Sequence, residues 1–197
     1  MIQSVDRLVN DPRFMPYWGW HDDHRERDRT PGYLPALQQV RSEYAELLDT
    51  LMLYGVLCME GSALQIGMGA QDCSHRALGL FFRNVLTIDE KLCAWNDARF
   101  HGLNSQLQSS VQIAKIKGPF QFLLIDAGHK ARDVEEDFVN YAPLVCRSAI
   151  IAVHDALKRP GYEDEVEVWR WLADGGGRRV PWRIIGQEVG FAWTIKS

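Results

Sequence analysis

The chain has 197 residues, of which 46% are apolar and 24% charged, as in an ordinary soluble globular domain. Its formal net charge of −4 gives no electrostatic basis for binding nucleic acid or an anionic membrane surface. The four cysteines show no CxxC spacing, and the first residues carry charges and a proline too early for a secretory or membrane-spanning segment. These features predict a reduced, cytoplasmic, single-domain protein.

Residues 1–33 are predicted to be irregular and to act as a lid over a substrate pocket. A cluster of aromatic and charged side chains lies in this segment: Tyr17, Trp18, Trp20, His21, Asp22, Asp23 and His24. Its histidines and aspartates have metal-ligand chemistry, but a solvated loop anchored by its aromatic rings would contain the same residues. Residues 34–197 are expected to form one domain, which begins with a helix over about 34–53 because apolar residues recur there at helical spacing.

A strand, a glycine turn, a helix and a second strand are predicted between Ala63 and Glu90. Apolar runs at 63–66 and 85–88 flank Gly67-Met68-Gly69 and a helical pattern, and Asp89 follows the second run. Glycines let the backbone turn sharply beside a ligand, and a helix N-terminus offers unpaired N–H groups. The pattern is typical of a nucleotide-binding βαβ unit in which Asp89 accepts ribose hydroxyls, although a plain buried βαβ unit would show it too.

Alternating elements continue along the rest of the chain. The patterns predict a helix over 91–100, a weak strand over 103–111, a short helix or loop over 112–117, a strand over 120–125, a helix over 131–141, a strand over 148–153, a helix over 163–173, and an antiparallel pair of strands over 182–185 and 191–195. Near-continuous apolar runs fit parallel strands that are covered on both faces. The predicted fold is a Rossmann-like, doubly wound α/β domain with a mostly parallel seven-stranded sheet and a C-terminal antiparallel hairpin.

Residues with clear chemistry follow two of these strands. Asp126 comes directly after one strand and His154-Asp155 after the next, so neighbouring strands would bring two carboxylates together. A divalent cation would relieve their repulsion; oxygen ligands suit Mg²⁺ or Ca²⁺, and His154 tilts the choice towards a transition metal. Alternatively, Asp126 caps a helix and His154-Asp155 form a turn. His129 could remove a proton from a substrate hydroxyl near pH 7, or be a surface histidine.

The segment LLIDAGHKARDVEEDFVNYAPLV, followed by IIAVHDA, resembles the class I S-adenosylmethionine-dependent methyltransferases of the small-molecule O-methyltransferase type. The branch it resembles includes the macrocin and mycinamicin sugar O-methyltransferases and cephalosporin-hydroxylase-like proteins. The resemblance runs from about Gln39 to the C-terminus. It implies that Gly67 and Gly69 shape the turn around the methionine part of the cofactor, that Asp89 holds the ribose, and that Ser109 or Ser110 lies near the adenine.

The same resemblance implies a metal site and a base. Asp126, His154 and Asp155 would hold a divalent cation, with Mg²⁺ expected and Mn²⁺ or Ca²⁺ as alternatives, and Asp126 would also approach the cofactor amine. His129 falls where relatives place the catalytic base, so that a substrate hydroxyl would lose its proton to His129 and attack the cofactor methyl in line. The expected partner is a hydroxylated small molecule such as a sugar or natural product, without nucleic acid or membrane, and the chain could form a homo-oligomer.

Two other functions remain open. Relatives usually carry Glu where this chain has Gln65, more glycine at Gln71-Asp72, an acid at Gly128, and two glycines within 147–149. Such departures would also be expected of a non-catalytic scaffold or partner-binding module. A dinucleotide-dependent dehydrogenase or epimerase is disfavoured because the loop lacks a full GxGxxG and the pattern shows no separate substrate domain.

Overall fold

The computed structural model describes residues 61–67, 74–75, 78, 82–89, 100–102, 108–158, 160–163, 165–185 and 190–197. The predicted lid at 1–33, the helix at 34–53 and Gly69 lie outside the described residues. No helix in the described part of the chain combines the length and apolar character that crossing a bilayer requires.

Seven strands form one sheet. In chain order they are β1 (Ser62–Ile66), β2 (Asn84–Asp89), β3 (Phe100–Gly102), β4 (Phe120–Ile125), β5 (Val145–His154), β6 (Arg183–Ile185) and β7 (Phe191–Ile195). Their order across the sheet is β3-β2-β1-β4-β5-β7-β6. The first five pair in parallel, whereas β7 pairs antiparallel with both β5 and β6. The predicted mostly parallel sheet with a C-terminal antiparallel hairpin is confirmed.

The central strands are buried on both faces, which is why their sequences read as continuous apolar runs. Along β1 and β4, for example, Leu64 and Leu123 are both 0% exposed. The register sets Ile66 beside Ile88 of β2 and Ile125 of β4, and sets Ile125 beside Val153 of β5. Four parallel strands therefore end at nearly the same level, and the residues that follow them share one edge of the sheet.

Helices cover the sheet between these strands. In the part of the chain that the structure describes, they include α1 (Gln108–Lys117), α2 (Ala131–Tyr141), α3 (Val168–Ala173) and α4 (Gly176–Arg179), with a 3-10 turn at Ala142–Leu144. Val134, Phe138 and Tyr141 of α2 are buried, as the helical spacing predicted. Phe138 also contacts Trp171 of α3, with ring centroids 5.9 Å apart, so α2 and α3 form one packed layer.

The prediction of a strand over 103–111 is wrong at its C-terminal end. Strand β3 lies before it, at Phe100–Gly102, and Phe100 therefore belongs to a strand rather than to the predicted helix over 91–100. Helix α1 already begins at Gln108. Its buried positions are only Ser110 and Ala114, whose small side chains give almost no hydrophobic periodicity to detect.

The helix predicted over 163–173 begins only at Val168. The N–H groups of Glu165 and Val166 instead donate to the carbonyl of Tyr162, at 3.1 and 2.9 Å, and form a turn. The N–H of Glu167 donates to the carbonyl of His129, at 2.7 Å. A hydrogen bond to a distant loop thus fixes the helix start, and the local pattern could not reveal it.

Candidate functional site

The edge where the parallel strands end is held together by backbone hydrogen bonds that continue past the strands. The N–H of Gly67 donates to the carbonyl of Ile88, at 2.8 Å, and the N–H of Asp126 donates to the carbonyl of Ile66, at 2.7 Å. Gly67 and Asp126 are therefore fixed at the rim of the sheet, with Asp89 at the end of the adjoining strand. Ligands of open α/β sheets bind at this edge.

Gly67 is a position that only glycine can occupy. Its φ of +79° lies in the left-handed region, and a Cβ there would lie 2.1 Å from the carbonyl oxygen of Asp126. Any side chain would therefore push the turn after β1 away from the turn after β4. The glycine thus serves close packing between two loops of the site, in addition to allowing a sharp turn.

The side chain of Gln65 supports the glycine turn through hydrogen bonds, a role that the sequence did not predict. Its side chain is 0% exposed, and its amide nitrogen donates to the carbonyl of Gly67, at 2.8 Å, and to the hydroxyl of Ser74. Thr87 Oγ1 contacts Gln65 Oε1 at 3.5 Å and His75 Nδ1 at 2.7 Å. A polar residue inside the apolar run at 63–66 was the available signal, because buried polar groups require partners.

Asp126, His154 and Asp155 form a compact, mostly buried cluster. His154 Nδ1 lies 2.8 Å from Asp126 Oδ1 and 3.8 Å from Asp155 Oδ2. One ligand atom from each residue lies within 4.8 Å of the others. The side chains of Asp126, His154 and Asp155 are 14%, 9% and 6% exposed, respectively. Parallel neighbours β4 and β5 thus bring the predicted carboxylates together.

The backbone next to this cluster adopts an uncommon conformation. Asp155 has a φ of +58°, a left-handed conformation that is uncommon for a residue with a side chain. The N–H of Ala156 donates to the carbonyl of Gly190, at 3.2 Å, which anchors the turn to the residue just before β7. The imidazole of His154 packs on Phe191, with ring centroids 4.6 Å apart. Strained backbone of this type concentrates at functional sites.

His129 lies beside the cluster on the loop from β4 to α2. Its Nε2 is 3.2 Å from Asp155 Oδ2, and its side chain is 49% exposed. Glu167 fixes the loop, because its backbone N–H donates to the carbonyl of His129 and its carboxylate accepts the N–H of Ala131, at 3.2 Å. Gly128 is also constrained, since a Cβ there would lie 2.5 Å from the Cβ of Asp133.

The remaining predicted cofactor residues that the structure describes lie on β2 and on helix α1. Asp89 is half-buried at the end of β2. Ser109 is exposed and Ser110 is fully buried, both in the first turn of α1. Gly67 and Asp89 thus lie at one edge, and the cofactor roles of all four residues stay predictions.

Asp126, His154 and Asp155 have the chemistry of a cation site. Two largely buried carboxylates repel each other unless a positive charge lies between them. Ligands at right angles on a cation at 2.1 Å are about 3 Å apart, which is comparable to the donor spacing here. The cluster could therefore hold a divalent cation, and His129 beside it could take up a proton.

Comparison with known proteins agrees with this architecture. Residues 52–156 match the model of the family described as Methyltransferase domain. No curated protein sequence matches the chain.

Three solved structures share the fold. One is the MycE methyltransferase of the mycinamycin biosynthetic pathway, solved with Mg, SAH and mycinamycin VI; it is 19% identical to this chain, with a TM-score of 0.55. The match covers 78% of this chain and 49% of MycE, so this chain spans about half the length of MycE. A candidate caffeoyl-CoA O-methyltransferase from Staphylococcus aureus is 12% identical with a TM-score of 0.61, over 99% of this chain and 100% of that one. An rRNA methylase from Streptococcus thermophilus is 11% identical with a TM-score of 0.54, over 77% and 96%. The family resemblance found in the sequence is confirmed.

Proposed function

The chain belongs to the Methyltransferase domain family, and on that premise we propose that it transfers a methyl group from S-adenosylmethionine to a hydroxyl of a small molecule with the help of a divalent cation. One observation carries the proposal. His129 Nε2 lies 3.2 Å from Asp155, whose carboxylate belongs to the buried cluster of Asp126 and His154. A histidine that could act as a base and a cluster that could bind a cation therefore adjoin each other at the edge where ligands of open α/β sheets bind.

The cofactor would bind along the ends of β1 and β2. The bare backbone of Gly67 would lie against its methionine part, and the Asp89 carboxylate would accept hydrogen bonds from the ribose hydroxyls. Ser109 or Ser110 would lie near the adenine, and Asp126 near the amine. Gly69, assigned to the same turn, lies outside the described residues. Support comes from the glycine-only geometry of Gly67 and its hydrogen bond to Ile88, next to Asp89.

Asp126, His154 and Asp155 would hold the cation, which is expected to be Mg²⁺, Mn²⁺ or Ca²⁺. A bound cation of this kind lowers the pKa of a hydroxyl that coordinates it. His129 would take the hydroxyl proton. If His129 donates Nε2–H to Asp155, the lone pair on Nδ1 can accept that proton, and Asp155 orients the ring. Holding the acceptor oxygen in line with the cofactor methyl would supply much of the rate enhancement.

Binding of S-adenosylmethionine to the full chain tests the proposal directly. Isothermal titration calorimetry should show binding to the wild type and no measurable binding to Asp89→Ala, because the ribose hydroxyls lose their acceptor. Asp174→Ala is the matched control, since Asp174 is an exposed aspartate that follows α3, and it should bind as the wild type does. A wild type that binds no cofactor would refute the proposed function.

The acceptor class is tested by methyl transfer from radiolabelled cofactor to a panel of hydroxylated sugars and sugar-bearing natural products. Transfer to a hydroxyl that stops after chelation is the expected result. Transfer only to nitrogen, to RNA or to protein would contradict the acceptor class, while leaving the methyltransferase family unaffected.

A further inference from the structure

We infer that the cluster of Asp126, His154 and Asp155 selects a first-row transition-metal dication, such as Mn²⁺ or Co²⁺, over Mg²⁺ and Ca²⁺. The inference rests on the proposed function only in treating this cluster as the metal site. It assigns the class of cation from one residue, His154, whose imidazole supplies a nitrogen in an otherwise carboxylate set.

The imidazole nitrogen of His154 lies beside the position that a metal ion between the two carboxylates would occupy. His154 Nδ1 is 2.8 Å from Asp126 Oδ1 and 3.8 Å from Asp155 Oδ2, so an ion held by these two oxygens would have this nitrogen beside it. Mg²⁺ and Ca²⁺ are hard cations that take oxygen ligands, whereas the affinity of a site with a nitrogen donor rises along the first-row transition metals from Mn²⁺ to Co²⁺. One of the three protein donors therefore favours a transition metal.

The imidazole cannot readily turn away to leave an all-oxygen site. His154 is the last residue of β5 and pairs with Phe191 of β7 in the antiparallel register. Its ring packs on the ring of Phe191, with centroids 4.6 Å apart, and its side chain is only 9% exposed. Backbone pairing and ring packing thus hold the nitrogen beside both carboxylates.

Burial of the two carboxylates also favours a transition metal over Mg²⁺. Mg²⁺ dehydrates reluctantly and usually keeps several waters. With the Asp126 and Asp155 side chains 14% and 6% exposed, a bound ion would be approached by water from few directions. A cation that accepts a nitrogen in place of a water therefore fits the cluster better than Mg²⁺ does.

The test measures metal affinity on the full chain without cofactor, after chelator treatment and dialysis. Mn²⁺ binding is followed by loss of the free-ion electron paramagnetic resonance signal, and Co²⁺, Mg²⁺ and Ca²⁺ compete for the same site. We expect Co²⁺ to bind at least about 100-fold more tightly than Mg²⁺, and the affinity for Mn²⁺ to lie between those for Co²⁺ and Mg²⁺. In His154→Glu, which converts the site to three carboxylates, the Co²⁺-to-Mg²⁺ affinity ratio should fall by about tenfold or more.

His129→Gln is the matched control, because it removes the other histidine of the site but none of the three clustered donors. It should keep the wild-type affinity ratio. If His129→Gln rather than His154→Glu lowers the ratio, the wrong imidazole has been assigned and the inference is overturned.

A second readout does not depend on a folded variant. Pulsed electron paramagnetic resonance of the Mn²⁺-loaded wild type should show a coupling to a directly bound nitrogen. Equal affinity for Mg²⁺ and Mn²⁺, absence of nitrogen coupling, or no metal binding at all would each refute the inference. If the metal preference is found but S-adenosylmethionine does not bind, the proposed function alone fails; if the cofactor binds without the preference, this inference alone fails.

Discussion

Gln65 is a neutral residue at a place where the family resemblance predicted an acid. The structure gives the amide a role that a carboxylate cannot fill, because its Nε2 donates to the carbonyl of Gly67 and to Ser74 Oγ. The residue that suggested a degraded site is thus a fitted part of the turn. The departure at Gln65 consequently gives no support to a non-catalytic scaffold.

Gln65→Glu should both destabilise the fold and weaken cofactor binding. The substitution places a carboxylate against the Gly67 carbonyl in a fully buried position, which costs about 3 kcal/mol of unfolding free energy. Gln121→Glu is the control, since the half-buried Gln121 uses its oxygen to accept the N–H of Ser62, at 2.5 Å, and a carboxylate preserves that. Urea unfolding and calorimetry with S-adenosylmethionine measure both effects; equal behaviour of the two variants would contradict this role.

Asp155 lies within 4 Å of both histidines of the site. Its Oδ2 lies 3.2 Å from His129 Nε2 and 3.8 Å from His154 Nδ1. Asp155→Asn should lower metal-dependent kcat by about 10²–10⁴-fold, since it weakens the cation site and the orientation of the base together. The affinity for S-adenosylmethionine should stay close to that of the wild type. Activity that survives chelation unchanged would refute the metal role, and an equal loss in Asp174→Asn would show that the effect is not local.

At the scale of elements, the start of α3 determines the position of the loop that carries His129. Glu167 precedes α3 and binds that loop twice, through its N–H to the His129 carbonyl and through its carboxylate to the N–H of Ala131. Lys130 Nζ lies 3.5 Å from the same carboxylate. The loop is thus held from one side by β4 and from the other by Glu167.

Glu167→Ala should lower kcat with little change in cofactor affinity, because the loop loses a support while the glycine turn does not. Glu167→Gln keeps an acceptor for the N–H of Ala131 and should retain most of the activity. Comparison of kcat and cofactor dissociation constants for the two variants separates a positioning role from general destabilisation, which would alter both constants in both variants.

The same carboxylate predicts a pH dependence. The hydrogen bond from the Ala131 N–H, together with the charge of Lys130, lowers the pKa of Glu167. A carboxyl whose pKa is lower in the folded state stabilises the fold above its unfolded pKa, about 4.3, and loses that contribution as pH falls through the folded value. The difference in unfolding free energy between the wild type and Glu167→Gln should be present at pH 7 and decrease below about pH 4. A difference that does not vary with pH would contradict this.

For the whole molecule, the sequence identified those strands that are buried on both faces. Runs such as 120–125 and 148–153 are continuous and apolar because parallel central strands have no solvent face. Helix α1 was partly mistaken for a strand because its buried residues are Ser110 and Ala114, which are too small to create an apolar stripe. Local pattern detects an element when large apolar side chains mark its buried face.

The sequence predicted that the residues of the candidate cluster lie close together, but it did not predict every contact among the residues of the site. The placement of Asp126 and His154-Asp155 after neighbouring strands predicted that they meet. The contact of His129 with Asp155 was not predictable from spacing, although Asp126 is only three residues away from His129 in sequence. It depends on the left-handed turn at Asp155 and on the hydrogen bond of Glu167 to the His129 carbonyl, both of which are tertiary features.

The position of β7 between β5 and β6 has a consequence for how the protein folds during synthesis. β5 is synthesised well before β7, and until β7 pairs with it, one edge of β5 is open to other strands. During that interval His154 also lacks Phe191, the ring on which its imidazole rests. The cluster of Asp126, His154 and Asp155 therefore gains this aromatic support only when β7 pairs with β5, so a chain interrupted before β7 would expose an aggregation-prone edge and leave the cluster without that support.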